Sequence, residues 1–198
     1  MTKQAFKKRL MHLQEAITRA IAYYTVWLKI QYRDPDDSPW SLEDQNRMLD
    51  RYRGFFTTAA IAMQEATLLQ FAKLFDEDSR TSSLPVLVAE ARRAPALVPQ
   101  STPLGIRNLQ KQMNANATRR SLKQLRNKRL AHIDADPGQL PPIPKKELDS
   151  LVETIESIYN TVSSGHDGNV YDWHQIRLRG KRDTESVITA VMSGESVT

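Results

Sequence analysis

KQAFKKRLMHLQEAITRAIAYYTVWLKIQYR, residues 3–33, is the stretch that decides the fold. Phe6, Leu10, Leu13, Ile17, Ile21, Tyr24 and Leu28 return every three or four residues. On a helix of about 3.6 residues per turn that spacing draws one apolar stripe. The segment therefore predicts a long amphipathic helix over 3–33. Asp34-Pro35-Asp36-Asp37-Ser38-Pro39 ends it, because proline lacks an amide donor and disfavours helix in the residue before it.

The same period recurs along the chain. A second helix is expected to start at Ser41, which forms with Asp44 a capping-box pattern with aspartate in the place of the usual Glu or Gln. Met48, Tyr52, Phe55, Ala59, Ala62, Ala66 and Leu69 carry its stripe toward Phe75. The polar run 76–83 follows, with Ser83 placed to cap a short helix that has Pro85 in its first turn and reaches about Arg93. A fourth helix is expected from about Leu104 to Leu130, its stripe being Leu109, Met113, Ala117, Leu122 and Leu125. Past the proline-rich segment 136–144, Leu148, Leu151, Ile155, Ile158 and Val162 mark a fifth helix from about Lys145 to Ser163. Residues 163–169 read as a flexible connection, and a weak last helix falls near Glu185 to Met192. No alternating pattern that would suit a half-buried strand is sustained anywhere. The expectation is an all-α fold, an antiparallel helical bundle of about five main helices. It comprises a helical domain over 1–165 and a tail over 166–198 with a short helix.

Composition narrows the function. The 198 residues are 40% hydrophobic and 26% charged, ordinary for a folded soluble domain. Without cysteine there is no disulfide, no thiolate zinc site and no cysteine nucleophile. The first thirteen residues carry Lys3, Lys7, Lys8 and Arg9 with no uninterrupted apolar run after them, so no signal peptide is read. Residues 20–28 are too short to span a bilayer. A cytoplasmic location with no membrane partner is expected. The net charge of +5 favours polyanionic partners such as nucleic acid.

That charge is unevenly placed. Arg119, Arg120, Lys123, Arg126, Lys128 and Arg129 crowd eleven positions that hold no acid, and the run closes on Leu130-Ala131-His132. Cations at a helix end complement its negative dipole, which accounts for the basic residues but less well for Asn127 and His132 among them. Cleavage of RNA without a metal needs a base for the ribose hydroxyl, an acid for the leaving oxygen and a cation for the phosphate oxygens. Histidine titrates near neutrality and serves as base or acid. Arginine stays charged and matches phosphate with a forked donor set. Asparagine orients the histidine or donates to the phosphate. Arg126, Asn127 and His132 are thus the candidate catalytic residues, with Arg119, Arg120, Lys123, Lys128 and Arg129 as candidate RNA contacts. Six positions turn an ideal helix by about 600°, which leaves Arg126 and His132 roughly 120° apart. Either the helix loosens near Ala131 or the site is built from two protomers.

Arg126-Asn127, four further residues and then His132 resemble the signature of HEPN domains, and Leu125 to His132 looks like the AbiU-type, abortive-infection branch of that superfamily. Leu74-Phe75-Asp76 and Ser82-Ser83-Leu84 are a second match, and the layout covers roughly residues 5–165. The resemblance implies a homodimeric endoribonuclease, a toxin or antiphage effector, in which two motifs meet at one cleft. A cognate antitoxin or other regulatory partner would accompany it. Some HEPN toxins carry a tyrosine two residues after the histidine that a partner nucleotidyltransferase modifies; here that position is Asp134. The competing reading is a catalytically silent HEPN-like dimer that binds RNA or nucleotides as a regulator. A third reading, a DNA-binding regulator, lacks a helix-turn-helix segment.

The remaining candidates are weaker. His12 is expected at the surface or boundary of the first helix. His166 and His174 lie in a loop and a tail without metal-ligand spacing, so no metal site and no cofactor are expected. Asp76 is read as a structural cap ahead of a holder for a catalytic cation. Tyr23, Tyr24 and Trp27 are read as core or dimer contacts ahead of base-stacking groups. The basic run Arg177 to Arg182 is read as a solvated tail or as a track for RNA backbone.

Overall fold

The computed structural model describes residues 1–31, 41–125, 127 and 143–193. The described residues are helical with no strand, as expected. In chain order the helices are α1 (Lys3–Gln31), α2 (Leu42–Arg51), α3 (Arg53–Leu74), α4 (Leu84–Arg93), α5 (Pro103–Ala115), α6 (Ala117–Leu125), α7 (Lys145–Asp167) and α8 (His174–Ser193), with a 3-10 turn at Pro95–Leu97. Among the described residues eight helices stand where about five main ones and a weak last one were expected, because two of the long segments break and the last helix is a full-length one. No helix among the described residues is long and apolar enough to cross a membrane.

The chain divides into two compact units. The first comprises Met1–Arg19 and Leu68–Asp172. Its core takes Phe6, Leu10, Leu13 and Ile17 from α1, Leu84, Leu87 and Val88 from α4, and Leu148, Leu151, Ile155, Ile158, Tyr159 and Val162 from α7, all buried. α4 lies against α5 and α7, and α6 lies against α7. The apolar side chains on α7 recur at three and four residues, so one face is largely apolar from Leu148 to Val162, and burying each aliphatic one stabilises the fold by about 1.5–3 kcal/mol. α7 continues past the expected end at Ser163. Ser163 and His166 are buried, and His166 Nδ1–H donates to the Leu97 carbonyl at 2.6 Å. His166 therefore belongs to a helix end, not to a loop. Gly168, at φ +80°, closes α7 in the left-handed conformation that glycine adopts without strain, and its amide reaches the Ser164 carbonyl at 3.0 Å.

The second unit comprises Ala20–Thr67 and Trp173–Thr198. Ile21, Tyr24 and Trp27 on α1 are buried, so these aromatics are core residues. Phe56 on α3 and Ile188 on α8 form a buried contact flanked by Ile30 and Val191. Lys29 Nζ meets Glu185 at 2.8 Å with both side chains largely covered. α8 is thus a packed helix of 20 residues where a short weak one was expected. At the start of α2 the capping box is present: the Asp44 amide donates to Ser41 Oγ at 3.1 Å and the Ser41 hydroxyl donates to Asp44 Oδ2 at 2.6 Å.

Candidate functional site

α6 carries the basic run toward the motif, and Asn116 starts it. The amide of Arg119 donates to Asn116 Oδ1 at 3.3 Å, an N-cap contact that separates α6 from α5 where one continuous helix was expected. Buried Leu122 and Thr118 face inward, and the Thr118 hydroxyl donates to Glu147 Oε2 on α7 at 3.3 Å. That anchoring sets the direction of the cations on the rest of the helix.

Opposite α6 stands the loop 75–83. Its backbone is tied by four contacts. The Asp78 amide donates to Asp76 Oδ1 at 3.0 Å, the Thr81 amide to the Asp78 carbonyl at 2.9 Å, the Thr81 hydroxyl to that carbonyl at 2.8 Å, and the Ser83 hydroxyl to the Asp76 carbonyl at 2.5 Å. Ser83 sits at the N-cap position of α4, yet its hydroxyl makes no cap hydrogen bond, having been taken by Asp76. The Arg80 guanidinium forks onto Asp78 at 3.0 and 2.6 Å, and its amide also reaches that carboxylate at 2.9 Å. These donors hold the Asp78 carboxyl down at about 2, well below the usual carboxylate range.

The loop presents Glu77 to α6. One carboxylate oxygen of Glu77 accepts from Arg119 Nη2, and the other lies 3.5 Å from Lys123 Nζ. Arg119 Nη1 also donates to Asn114 Oδ1 at 3.2 Å. Ala72, Phe75, Asp76, Glu77, Arg119 and Lys123 line a cleft of about 110 Å³. Two of the candidate RNA contacts, Arg119 and Lys123, are thereby brought together. Arg120 is exposed on the same helix. Asn127, also exposed, follows just beyond α6. Arg126, Lys128, Arg129, His132 and Asp134 lie outside the described residues, so the structure describes the approach to the motif and not its geometry.

Glu77 is the residue that sequence reasoning missed. It read there as part of a polar loop, and only the fold sets it against cations some forty positions later. His12 and His174 are exposed. Arg179 and Arg182 of the second basic run are exposed on α8, and Arg182 Nε lies 3.5 Å from Asp183. Among the described residues no group of three His, Asp or Glu side chains is placed to hold a metal ion.

An all-helical domain whose basic helix leads straight into an Arg-Asn…His motif defines the class: a HEPN-like helical protein. The family model HEPN_AbiU2, described as AbiU2, matches residues 3–186, and the chain belongs to that family. No curated protein and no solved structure matches it.

Proposed function

We propose that this chain is an endoribonuclease that cuts RNA without a metal ion, acting in the cytoplasm as a toxin or antiphage effector of the abortive-infection kind. The observation that carries the reading is the family match over 3–186, which contains Arg126-Asn127…His132 placed directly after the cationic helix α6.

In this reading His132 takes the proton from the ribose 2′-hydroxyl. The freed oxygen attacks the adjacent phosphorus, the bond to the 5′-oxygen breaks, and an acid returns a proton to the leaving oxygen. Arg126 neutralises the charge that builds on the non-bridging oxygens. Asn127 orients the imidazole or donates to the phosphate. A two-fold homodimer brings two motifs to one cleft and supplies both a base and an acid, which removes the difficulty of the 120° offset. Phe55 and Ile61 on α3, 66% and 51% exposed, support such an assembly, since large apolar side chains left in water gain from being covered.

The test is incubation of the protein with end-labelled total RNA in excess chelator. Discrete fragments are expected from the wild type. His132→Ala and Arg126→Ala are each expected to lose about 100- to 10,000-fold in rate while keeping the helical circular dichroism of the parent. Binding of RNA with no cleavage by the wild type would move the protein to the silent-regulator reading.

A further inference from the structure

Resting on the ribonuclease reading, we infer that Glu77 is an intramolecular stand-in for an RNA phosphate: it occupies Arg119 and Lys123 until the substrate backbone displaces it.

Five observations carry this. The two oxygens of Glu77 are divided between two cations, as two oxygens of one phosphate would be, with Arg119 on one and Lys123 on the other. The cations come from one helix at a spacing of four, which puts them on one face. Arg119 is held ready. Its side chain is only 16% exposed, Asn114 takes one arm of its guanidinium, and Asn116 takes its amide. A cation so ordered loses little freedom when it exchanges one anion for another. Glu77 by contrast is 60% exposed, so its bonds are of the weak, solvent-screened surface kind and easily displaced. The cleft they share, about 110 Å³, accommodates a phosphate group with bridging water, a water taking about 30 Å³.

Place in the chain ties this subsite to the reaction. Arg126 follows Lys123 by three residues, a stretch that spans at most about 11 Å even when fully extended. A strand whose phosphate rests on Arg119 and Lys123 therefore has neighbouring nucleotides within reach of Arg126. Glu77 then sets a threshold: weak anions and short fragments fail to displace it, and a continuous strand succeeds through its several contacts.

The experiment measures binding apart from cleavage. A fluorescent single-stranded oligonucleotide with 2′-O-methyl at every position, which has no nucleophilic hydroxyl, is titrated with the full chain, and anisotropy is followed from low to high salt. Glu77→Gln is expected to bind about fivefold more tightly than wild type. Arg119→Gln with Lys123→Gln is expected to bind more weakly and to lower the slope of log affinity against log salt by about 1.4, two contacts at about 0.7 each. Adding Glu77→Gln to that pair should then change affinity by less than twofold. Should the Arg119 substitution prevent folding, as judged by circular dichroism, Lys123→Gln alone is used, and the gain from Glu77→Gln should shrink in its presence.

If Glu77→Gln binds no more tightly, or tightens binding equally with and without the cations, the inference is overturned while any cleavage of natural RNA still stands. Tight, Glu77-limited binding without cleavage of natural RNA would uphold the subsite and overturn the ribonuclease reading. Absence of binding by every form overturns the subsite.

Discussion

At Gly165, on α7, a β-carbon would sit 1.9 Å from Ser101 Oγ and 2.9 Å from Ser101 Cβ. The Gly165 carbonyl meanwhile accepts from the Gln100 amide at 3.0 Å, so the two backbones are held at that distance. Ser101 Oγ can turn away about one bond, but Ser101 Cβ is fixed to its backbone and stays too close, so one of the two segments must shift to admit a methyl group. Gly165→Ala is accordingly expected to destabilise the fold by about 1–3 kcal/mol, although alanine is the better helix former. Urea denaturation of the purified protein reads this directly. Tyr159 gives a second residue-level expectation. Burial, reinforced by neighbouring Tyr171, holds its phenol above the ordinary range, and the hydroxyl donates to the Leu10 carbonyl at 3.2 Å. A phenol that ionises less readily folded than unfolded contributes stability below its ordinary value of about 10, and that contribution drains away as the pH rises past it. The drop in urea midpoint from pH 8 to pH 11 should be smaller in Tyr159→Phe than in wild type. An equal drop would place the alkaline sensitivity elsewhere.

Elements show where sequence patterns suffice and where they do not. α1 was legible because one face is apolar and the other charged, and its stripe is buried at Phe6, Leu10, Leu13, Ile17, Ile21 and Tyr24. Only near the end does Trp27 replace the expected Leu28 as the fully buried residue. α3 was legible as a helix but not in phase. The expected stripe ran through Tyr52, Phe55, Ala59 and Ala62, whereas Phe56, Ala60, Thr67, Leu68, Phe71, Ala72 and Leu74 are the buried set. The break between α2 and α3 at Tyr52 resets the rotation, and a segment apolar on nearly every side gives periodicity little to select. Asn116 did the same between α5 and α6. Leu109, Met113 and Leu122 are buried as expected, but Ala117 is exposed and Thr118 takes the inward place. Ser163-Ser164-Gly165 had the composition of a linker and became helix, because Leu97 and Ser101 supply tertiary partners that local propensity does not record. The basic run of the candidate site was legible in composition, while its carboxylate partner Glu77 was not, being distant in sequence. Since Asn116 caps α6, Asn116→Ala should cost about 1 kcal/mol in urea denaturation. It should also weaken RNA binding if α6 presents the cations as proposed, which anisotropy would show.

For the whole molecule, the family match runs from residue 3 to residue 186, well into α8, so the second compact unit belongs to the family's architecture together with the first. The proposed function asks more of that architecture than one copy supplies, since a motif with one histidine must provide both a base and an acid. Sedimentation at micromolar concentration is expected to give twice the chain mass of 22.6 kDa. A single species at the chain mass would remove the shared cleft from the account. The central claim, cleavage by the ribose hydroxyl under the care of His132, is tested most directly by the chemistry of the cut ends. Natural RNA is digested with the wild-type protein in excess chelator and the products are analysed by mass. The account predicts upstream fragments ending in a 2′,3′-cyclic phosphate and downstream fragments beginning with a 5′-hydroxyl, with no cutting of the matching 2′-deoxy strand. A 5′-phosphate on the downstream fragment, or cleavage of the deoxy strand, would contradict it even if His132 proved essential.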